Sequence, residues 1–515
     1  MSRVLRCLLI VSVLLCGVSA AGAGEDRPLE RGTAIIDPAI LRELDHGRFG
    51  LGHMLSPERA AGLSLPNSEL FGLPSMLLVR EALDREFDRY VARHKASLPN
   101  ESIGVGDSYA FQLFDRGLFG SPDVSFVLSG IVNRMDRAYV ASASCGEIRL
   151  IYRLTRTDVP TIGENAVSQR LPMTLNLVLR AKGDGDDPSI TCREIARRWL
   201  ATSNSPPTME QLFGKGGPLE LISPSNIDRI ETNLQIAHAP KSAVRDFRTD
   251  YLLKVFDYDG QAKRFAEAPM ENQIDRDRIL ADEGLRREFK AWLLDPGHFA
   301  ELDRGTLLIP EKFLAIGAVA PTPAGFDVSD LQPEFGLVQG DGGADKALFS
   351  ADDVVGALKK AAADGTRLQN IQSLAGFERR LNDVTCTGCH QTRGIGGFHF
   401  PGVDWMAAKP SNSTVVPGSP HFFGDQVRRR DILSSFRDGK TPDFSRGFSN
   451  RPQSRGSIEL AGTEYSDGWG AHCYLPGAKP AEADRSFRAW TCADGLVCQV
   501  AGQTSRMGMC FIKSR

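Results

Sequence analysis

The chain has 515 residues, 42% of them hydrophobic, and a formal net charge of −3. A chain of this length predicts more than one domain, and its apolar residues are sufficient to form the cores. The nearly balanced charge is not that of a nucleic-acid-binding protein, and we expect no nucleic-acid partner. Beyond the N-terminal segment, no uninterrupted apolar stretch reaches the ~18 residues of a membrane-spanning helix, so we predict no transmembrane segment.

The N-terminus has the three parts of a secretory signal peptide. Its first six residues include two arginines and no acidic residue, an apolar run extends from Cys7 to Val18, and small residues follow to Ala23. The apolar run is too short to span a bilayer comfortably. We therefore predict a signal peptide over residues 1–23 and export to the bacterial periplasm, with secretion as the alternative.

The region 24–270 mixes helix and strand patterns. The charged segment Glu81–Lys95 has apolar residues at helical spacing along one side and predicts a helix. From residue 124 onwards, apolar runs and alternation of apolar with polar residues indicate half-buried strands. We predict a β-rich domain over residues 120–270, with a short helix at Cys192–Leu200 and strands at Val124–Val132, Glu147–Leu154, Met173–Leu179 and Tyr251–Phe256.

Helical patterns return after residue 270. Residues 271–339 are predicted to be a helical connector, in which Asp275–Leu294 is the clearest helix. Glycines and prolines then mark a boundary. Ser350, followed three residues later by Asp353, is typical of a helix start with a capping box. Apolar residues at helical spacing over 371–381 predict a second helix.

The pentapeptide Cys386-Thr387-Gly388-Cys389-His390 follows directly on that second helix. Two thiols at this spacing can form thioether bonds with the two vinyl groups of a haem, and the histidine after them is then held at the iron. We assign Cys386 and Cys389 as covalent haem residues and His390 as the proximal iron ligand. The alternative is an exposed disulfide or redox C-x-x-C that happens to precede a histidine.

A helix that delivers C-x-x-C-H and a glycine-rich loop after it resemble the c-type cytochromes, over residues 350–425. The resemblance implies a mainly α-helical, cytochrome c-like haem domain over residues 344–425 and one covalently bound haem c. It also implies transfer of single electrons between a periplasmic donor and acceptor whose identities the sequence does not indicate. With the preceding regions and a loop-rich tail over residues 426–515, the predicted fold class is a multi-domain α+β protein.

The distal side of the iron departs from that family. Small c-type cytochromes usually supply a distal methionine several tens of residues downstream, and here no Met or His occurs between His421 and His472. We predict His421 as the distal ligand, because two phenylalanines follow it and could wall a haem crevice. An iron without a distal protein ligand is an alternative, and the other candidate ligands are His399, Met406, His472, Met507 and Met509.

The remaining cysteines predict disulfides. Of the ten cysteines, two lie in the predicted signal peptide and two in the haem motif, which leaves an even number in an exported chain. Cys145 and Cys192 flank strand-like segments and are natural partners. The other four lie within residues 473–510 and predict a stapled unit with three possible connectivities. A zinc site made of these thiols is the alternative.

Three functions agree with this sequence. The first is an exported monohaem c-type cytochrome that transfers single electrons. The second is a peroxidase- or oxygenase-like haem enzyme with an open distal site, in which an arginine of the run 428–430 assists; otherwise this run is interpreted as a solvated face, with docking or binding of haem propionates as further possibilities. The third is a haem-containing binding or sensor module. Enzymatic activity stays open between them.

Overall fold

The structure is a computed structural model. It describes residues 32–59, 65–103, 116–157, 170–183, 185–201, 207–240, 248–321 and 347–368, selected positions between 371 and 387, Met406, residues 426–445, and the backbone of three short strands after residue 471. The predicted signal peptide over residues 1–23 lies outside the described residues.

The described residues form both strands and helices. The strands are β1 (Ala34–Ile35), β2 (Glu101–Ile103), β3 (Val124–Arg134), β4 (Glu147–Arg156), β5 (Arg170–Arg180), β6 (Ile227–Pro240), β7 (Arg248–Asp259), β8 (Arg264–Ala268), β9 (Ala318–Pro321), β10 (His472–Tyr474), β11 (Leu496–Val500) and β12 (Met507–Ile512). The helices are α1 (Pro38–Asp45), α2 (Leu51–Leu55), α3 (Asn67–Leu70), α4 (Leu77–Ser97), α5 (Cys192–Leu200), α6 (Met209–Phe213), α7 (Arg276–Ala281), α8 (Glu283–Leu293), α9 (Pro296–Arg304), α10 (Ala351–Ala363) and α11 (Gln426–Arg437).

One antiparallel sheet organises the described residues up to Pro321. Its strand order is β1-β3-β4-β5-β6-β7-β8, with β2 also paired to β6 and β9 to β7. From β3 to β8 each strand pairs with the next along the chain, so the centre of the sheet is a meander. The predicted strands at β3, β4, β5 and β7 are confirmed, as are the helices at α4 and α5.

One face of this sheet is apolar and carries the main core. Alternate residues of β4 and β5 lie on it, from Ile148 to Leu154 and from Met173 to Leu179, and they are fully buried or nearly so. The same cluster includes residues of α1 to α6, among them Leu41, Leu83 and Trp199. The helices before and after β3–β5 therefore cover this face together.

The opposite face is polar and equally buried. Arg149 of β4, Thr174 of β5 and Glu231 of β6 lie on it, and each is less than 8% exposed. The prediction of half-buried strands is therefore wrong for the centre of the sheet. Sequence alternation reports the difference in polarity between two faces, but it does not reveal that buried charges pair with one another.

A second core lies beyond β8. It joins residues of α7 to α10, such as Phe289 and Phe299, to Ile371, Phe377 and Leu381. Helix α10 begins as predicted, because the hydroxyl of Ser350 accepts from Asp353 N at 3.2 Å and the carboxylate of Asp353 accepts from Ser350 N at 2.8 Å. The described positions between 374 and 387 are mostly helical, in agreement with the second predicted helix.

The predicted succession of a central β-rich domain, a helical cytochrome c-like domain and a loop-rich tail is wrong. The sheet includes β1 and β9, which lie outside the predicted β region of 120–270. Helix α11, assigned to the tail, packs against α5. The prediction failed because local periodicity identifies a strand or helix but not its partner, which long-range packing decides.

The predicted tail also contains regular structure. Its strands form a second antiparallel sheet in the order β10-β12-β11. In this sheet Cys498 is the register partner of Cys510, and residues so placed have Cα atoms about 4.5–5.5 Å apart, within the range of a disulfide. Cys492 lies outside the described residues, and the pairing of the four tail cysteines stays a prediction with three possible connectivities.

The predicted disulfide between Cys145 and Cys192 is present, with an S–S distance of 2.02 Å. It ties the segment before β4 to the first residue of α5. Because these cysteines are 47 positions apart, the cross-link removes many conformations from the unfolded chain. The disulfide thereby fastens helix α5 to the sheet, and helix α11 packs against α5.

We expect the double variant Cys145→Ala/Cys192→Ala to unfold more easily than the wild type. The chain-entropy argument gives a loss of about 2–4 kcal/mol in the free energy of unfolding. Urea unfolding without reductant measures this difference. An unchanged unfolding midpoint would contradict a stabilising role of the disulfide. The control is Arg197→Gln, a change at an exposed position on α5.

A carboxyl group is buried in the apolar core. Asp45, at the end of α1, is 6% exposed, and one of its carboxyl oxygens accepts from Leu128 N at 2.9 Å. Strand β3 has a bulge between Leu128 and Gly130, so this bond supports an irregular point of the sheet. Burial raises the pKa of Asp45 to about 7, although the hydrogen bond from Leu128 opposes that rise.

We expect Asp45→Asn to alter how stability depends on pH. The raised pKa means that the folded wild type holds a proton which the unfolded chain releases above about pH 4. The contribution of Asp45 to stability therefore falls by about 1.4 kcal/mol per pH unit between pH 4 and 7. The substituted asparagine retains an acceptor oxygen for Leu128 N but does not titrate. Urea unfolding at pH 4, 5.5 and 7.5 should show the variant gaining stability relative to the wild type as pH rises. A constant difference would contradict the raised pKa.

Candidate haem site

The predicted haem-attachment motif begins at the boundary between the second core and the sheet. Of its residues the structure describes Cys386 and Thr387, whereas Gly388, Cys389 and His390 lie outside the described residues. Cys386 is half-buried and Thr387 is 8% exposed. The first thiol of the motif is therefore held against the protein and remains partly accessible.

Hydrogen bonds attach the motif to the segment after β8. The Cys386 thiol donates to the backbone carbonyl of Glu271 at a distance of 3.5 Å. The side-chain oxygen of Gln273 accepts from the backbone N–H of Thr387 at 3.0 Å and from its hydroxyl at 2.9 Å. These bonds determine where the motif lies relative to the sheet.

The segment that receives the motif is itself firmly held. Met270 N donates to Ala315 O at 2.8 Å, and Ala315 N donates to Gln273 O at 2.8 Å. The amide of Asn272 donates to Leu307 O and accepts from Ile309 N, both at 2.8 Å. The groups that bond to Cys386 and Thr387 are thus held by hydrogen bonds to other parts of the chain.

An apolar patch of the sheet lies beside the Cys386 thiol. Cys386 packs against a buried cluster that shares one face of β7 and its neighbours; its members are Leu253, Val255, Ala268, Met270, Ala318 and Ala320. Most of a porphyrin ring is apolar, and burial of such a surface is favourable. The patch is already buried by the protein, so it is the partial exposure of the Cys386 thiol that fits the first thioether residue of a covalent haem.

A network of charged groups, most of them buried, occupies the same face of the sheet. We call it the arginine–carboxylate network, and its members are Arg134, Asp136, Arg137, Glu147, Arg149, Arg229, Glu231, Glu271, Arg428 and Arg429. Burial of a charge is costly unless the charge is paired and hydrogen-bonded. Ion pairs join these groups into two sets. One is centred on Asp136, and the other is centred on Glu147 and Glu231.

Glu147 is the central carboxylate of the network. It accepts from Arg137 Nε at 3.1 Å and from Arg229 Nη2 at 2.8 Å. Its second oxygen accepts from Arg149 Nη2 at 2.8 Å. Burial would raise the pKa of Glu147, but the guanidinium groups of Arg229, Arg137 and Arg149 hold it well below its usual range. Glu147 is therefore ionised at neutral pH.

The sheet itself allows these long side chains to meet. Val178 of β5 lies between Arg149 of β4 and Arg229 of β6 in the register. Because the side chain of Val178 is short, charged groups of β4 and β6 can meet above β5, and Arg149 Nη1 donates to Glu231 at 2.9 Å. The network thus forms because β4 and β6 lie on either side of β5.

A glycine brings a second part of the network close to Glu147. Gly146 has φ +88°, and a Cβ atom at this position would lie 2.7 Å from the backbone of Arg134 and Met135. Only glycine permits this approach without a shift of the backbone. It lets the 3₁₀ helix Met135–Arg137 pack directly on the start of β4.

Asp136 is surrounded by arginines at the α11 side. It accepts from Arg134 Nε at 2.8 Å and from Arg428 Nη2 at 2.7 Å. Burial would raise the pKa of Asp136, but Arg134, Arg428 and Arg429 hold it well below its usual range. Arg429 is 2% exposed. The interpretation of the run 428–430 as a solvated face is therefore wrong, because two of its three side chains turn inward to a buried carboxylate.

Glu271 connects the motif with the network. Its backbone carbonyl accepts from the Cys386 thiol, and its carboxylate forms an ion pair with Arg137. Burial would raise the pKa of Glu271, whereas Arg137 lowers it. The carboxylate is 38% exposed, so the network reaches an accessible surface next to Cys386.

The other predicted iron ligands are placed only in part. His399 and His421 lie outside the described residues, and Met406 is half-buried. His472 and Met509 are register partners in the small C-terminal sheet, where Met507 also lies. The distal ligand, including His421, stays a prediction.

Further observations limit other kinds of site. A pocket of about 460 Å³ lies next to the network, and its lining includes Tyr139, Glu301, Arg304, Asp443 and Phe444. In the described part of the chain, no group of three or more His, Cys, Asp or Glu side chains could hold a metal ion. None of the helices described there has the length and apolar content needed to cross a bilayer.

No protein-family model, curated protein or solved structure matches this chain. A functional assignment therefore depends on the residues and contacts described above.

Sequence reasoning missed the arginine–carboxylate network. The sequence does contain a sign of paired charges in the strands. Glu147 and Arg149 are opposite charges two positions apart, and so are Arg229 and Glu231. Residues at this spacing in a strand lie on the same face. Their burial, however, depends on what covers that face, which the pattern does not contain.

We expect Glu147→Gln to lower the free energy of unfolding by about 3–5 kcal/mol, because buried guanidinium groups lose their common counter-charge. The matched control is Glu283→Gln on α8. Glu283 is 65% exposed and its nearest arginine nitrogens are 3.8 Å away, so its loss should cost less than about 1 kcal/mol. Urea unfolding at pH 7 compares the two variants.

The pH dependence provides a second check on Glu147. Its folded-state pKa lies below the usual 4.5, so its contribution is present above about pH 4.5 and is lost as the pH falls below that value. The Glu147→Gln variant should therefore lose less stability than the wild type between pH 6 and pH 3. Equal losses would contradict the central role of this carboxylate.

Proposed function

We propose that the protein is an exported monohaem c-type cytochrome that transfers single electrons. The observation that carries the proposal is the C-x-x-C-H motif, with Cys386 and Cys389 as thioether residues and His390 as the proximal ligand. Export through a signal peptide over residues 1–23 agrees with this chemistry, and the disulfide between Cys145 and Cys192 suits an oxidising compartment.

The contacts of Cys386 support the proposal. A haem c needs a thiol that is accessible for bond formation, and Cys386 is partly exposed. The bonds of Thr387 to Gln273 would hold the motif in place before and after attachment. A rigidly held attachment motif favours electron transfer, because little has to rearrange when the charge at the iron changes.

When bound, a haem supplies a reversible one-electron couple. The chain's own residues would position it and limit the access of water. Cys386 and Cys389 would hold the ring, and His390 would bind the iron. His421 remains our proposal for the opposite axial position.

A haem enzyme with an open distal site is the second candidate. The observation in its favour is that Arg137, a guanidinium of the kind that assists cleavage of an O–O bond, pairs with Glu271 beside Cys386. Of the arginine run 428–430, which was predicted to assist, Arg428 is held by Asp136 at 2.7 Å. An accessible iron would be required for such an enzyme.

The visible spectrum of the matured protein tests these proposals. We expect haem that stays with the chain after denaturation, and a sharp low-spin ferrous spectrum that carbon monoxide does not change, because both axial positions are filled. The Cys386→Ala/Cys389→Ala variant should lose the covalent haem, and Cys145→Ala/Cys192→Ala is the matched control that retains it.

Each other outcome has a defined meaning. A covalent haem whose ferrous spectrum shifts with carbon monoxide would favour the enzyme over the electron carrier. The variant His421→Ala should create that shift if His421 is the distal ligand. No covalent haem after expression with a c-type maturation system would overturn the proposed function.

A further inference from the structure

The small C-terminal sheet brings three residues with soft metal-binding groups to one face. Met507 and Met509 are two positions apart in β12, and residues at this spacing in a strand lie on the same face. His472 of β10 is the register partner of Met509, and register partners in antiparallel strands also share a face. Two thioethers and one imidazole therefore belong to a common face, which we call the Met–His face.

The three positions of the Met–His face are close enough to serve one ion. Register partners such as His472 and Met509 have Cα atoms about 4.5–5.5 Å apart, and residues two positions apart in a strand are about 7 Å apart. Tyr474 is the register partner of Met507, so His472 lies diagonally opposite Met507, at about 7–8 Å. Methionine is long and flexible, which makes a shared ion at such separations geometrically possible.

The cysteines of this sheet belong to its opposite face. Cys473 directly follows His472 and Cys510 directly follows Met509, and successive residues of a strand alternate between faces. Cys498 is the register partner of Cys510 and shares its face. The predicted disulfides of the tail thus use a face other than the Met–His face, and the three donors remain in an oxidised protein.

The types of donor select the metal. Thioether sulfur together with imidazole suits Cu(I), whereas Ca²⁺ and Mg²⁺ require oxygen ligands. Among the described strand positions of this sheet there is no Asp or Glu. Structural zinc sites usually contain thiolates, and the cysteines here belong to the opposite face. Thioethers and neutral imidazole are uncharged, which favours a monovalent ion over a divalent one.

We propose that the Met–His face binds one Cu(I) ion, with His472, Met507 and Met509 as its ligands. The tail is then a metal-binding unit in its own right, and the inference does not rest on the proposed haem. The same three residues are candidate distal ligands of the haem iron, and residues that bind Cu(I) are not available to the iron.

Equilibrium dialysis of the full-length, oxidised protein tests the site. Copper is kept as Cu(I) with ascorbate, which does not reduce disulfides, and is buffered with bathocuproine disulfonate. Bound copper is counted by mass spectrometry, so haem absorption does not interfere. We expect one copper per chain in the wild type.

Methionine variants show whether that copper occupies the Met–His face. The variant Met507→Leu/Met509→Leu keeps the apolar volume and should weaken Cu(I) binding about 100-fold or more, since loss of even an outer-shell partner costs 10–100-fold in metal affinity. The variant His472→Ala should also weaken it. Met209→Leu, at a half-buried methionine of α6, is the matched control and should bind copper as the wild type does.

X-ray absorption at the copper edge of the wild type gives a readout that needs no variant. Free thiols are first blocked with N-ethylmaleimide, so that sulfur bound to copper is thioether sulfur. We expect a shell that contains both sulfur and nitrogen. A shell of nitrogen and oxygen alone would overturn the inference. Circular dichroism verifies that each variant is folded, and the wild-type shell decides if one is not.

The remaining outcomes separate this inference from the cytochrome proposal. A wild type that takes up no copper, or a folded Met507→Leu/Met509→Leu variant that binds it as tightly as the wild type, would overturn the copper site. Loss of the low-spin haem spectrum in that variant or in His472→Ala would also overturn it, because these residues would then bind the iron. Copper on the Met–His face of a chain without covalent haem would support the inference and overturn only the proposed function.

Discussion

The pairing of buried guanidinium and carboxylate groups on one face of the large sheet is the constraint on which the rest of the structure depends. Glu147 alone accepts hydrogen bonds from arginines of three different segments. Removal of one partner from such a set leaves a buried charge uncompensated, which costs far more than the loss of a surface ion pair. The network therefore requires β4, β6, the 3₁₀ helix Met135–Arg137 and α11 to keep their mutual positions.

This constraint links parts of the chain that are distant in sequence. The disulfide of Cys192 fastens α5 to the start of β4, and α11 packs on α5 while Arg428 reaches Asp136. On the other side, Glu271 joins the network to the residues that bond to Cys386 and Thr387. The proposed site of haem attachment is thus positioned by the sheet as well as by the helix that carries it.

Local elements were predictable because short-range physics decides them. The alternation of Ile148, Leu150, Tyr152 and Leu154 predicted β4, and Ser350 with Asp353 predicted the start of α10. Strand β6 was not predicted, although it is central to the sheet. Its polar positions, Arg229 and Glu231, resemble solvated residues in the sequence, and they are buried only because Arg149 and Glu147 lie across β5 from them.

The sequence by itself determined the candidate chemistry, because two thiols and a histidine at C-x-x-C-H spacing are adjacent along the chain and need no long-range contact to be recognised. It also determined the spacing of apolar residues, which predicts the strands and helices, and the pairing of Cys145 with Cys192. Only the tertiary structure decided what surrounds Cys386, since Glu271, Gln273 and the apolar patch are distant from it in the chain. The same holds for Arg428, whose burial follows from a partner, Asp136, 292 positions before it. Charges that are distant in sequence become partners only when the sheet and α11 bring them together. The local sequence around each charge does not show which distant residue will be its partner.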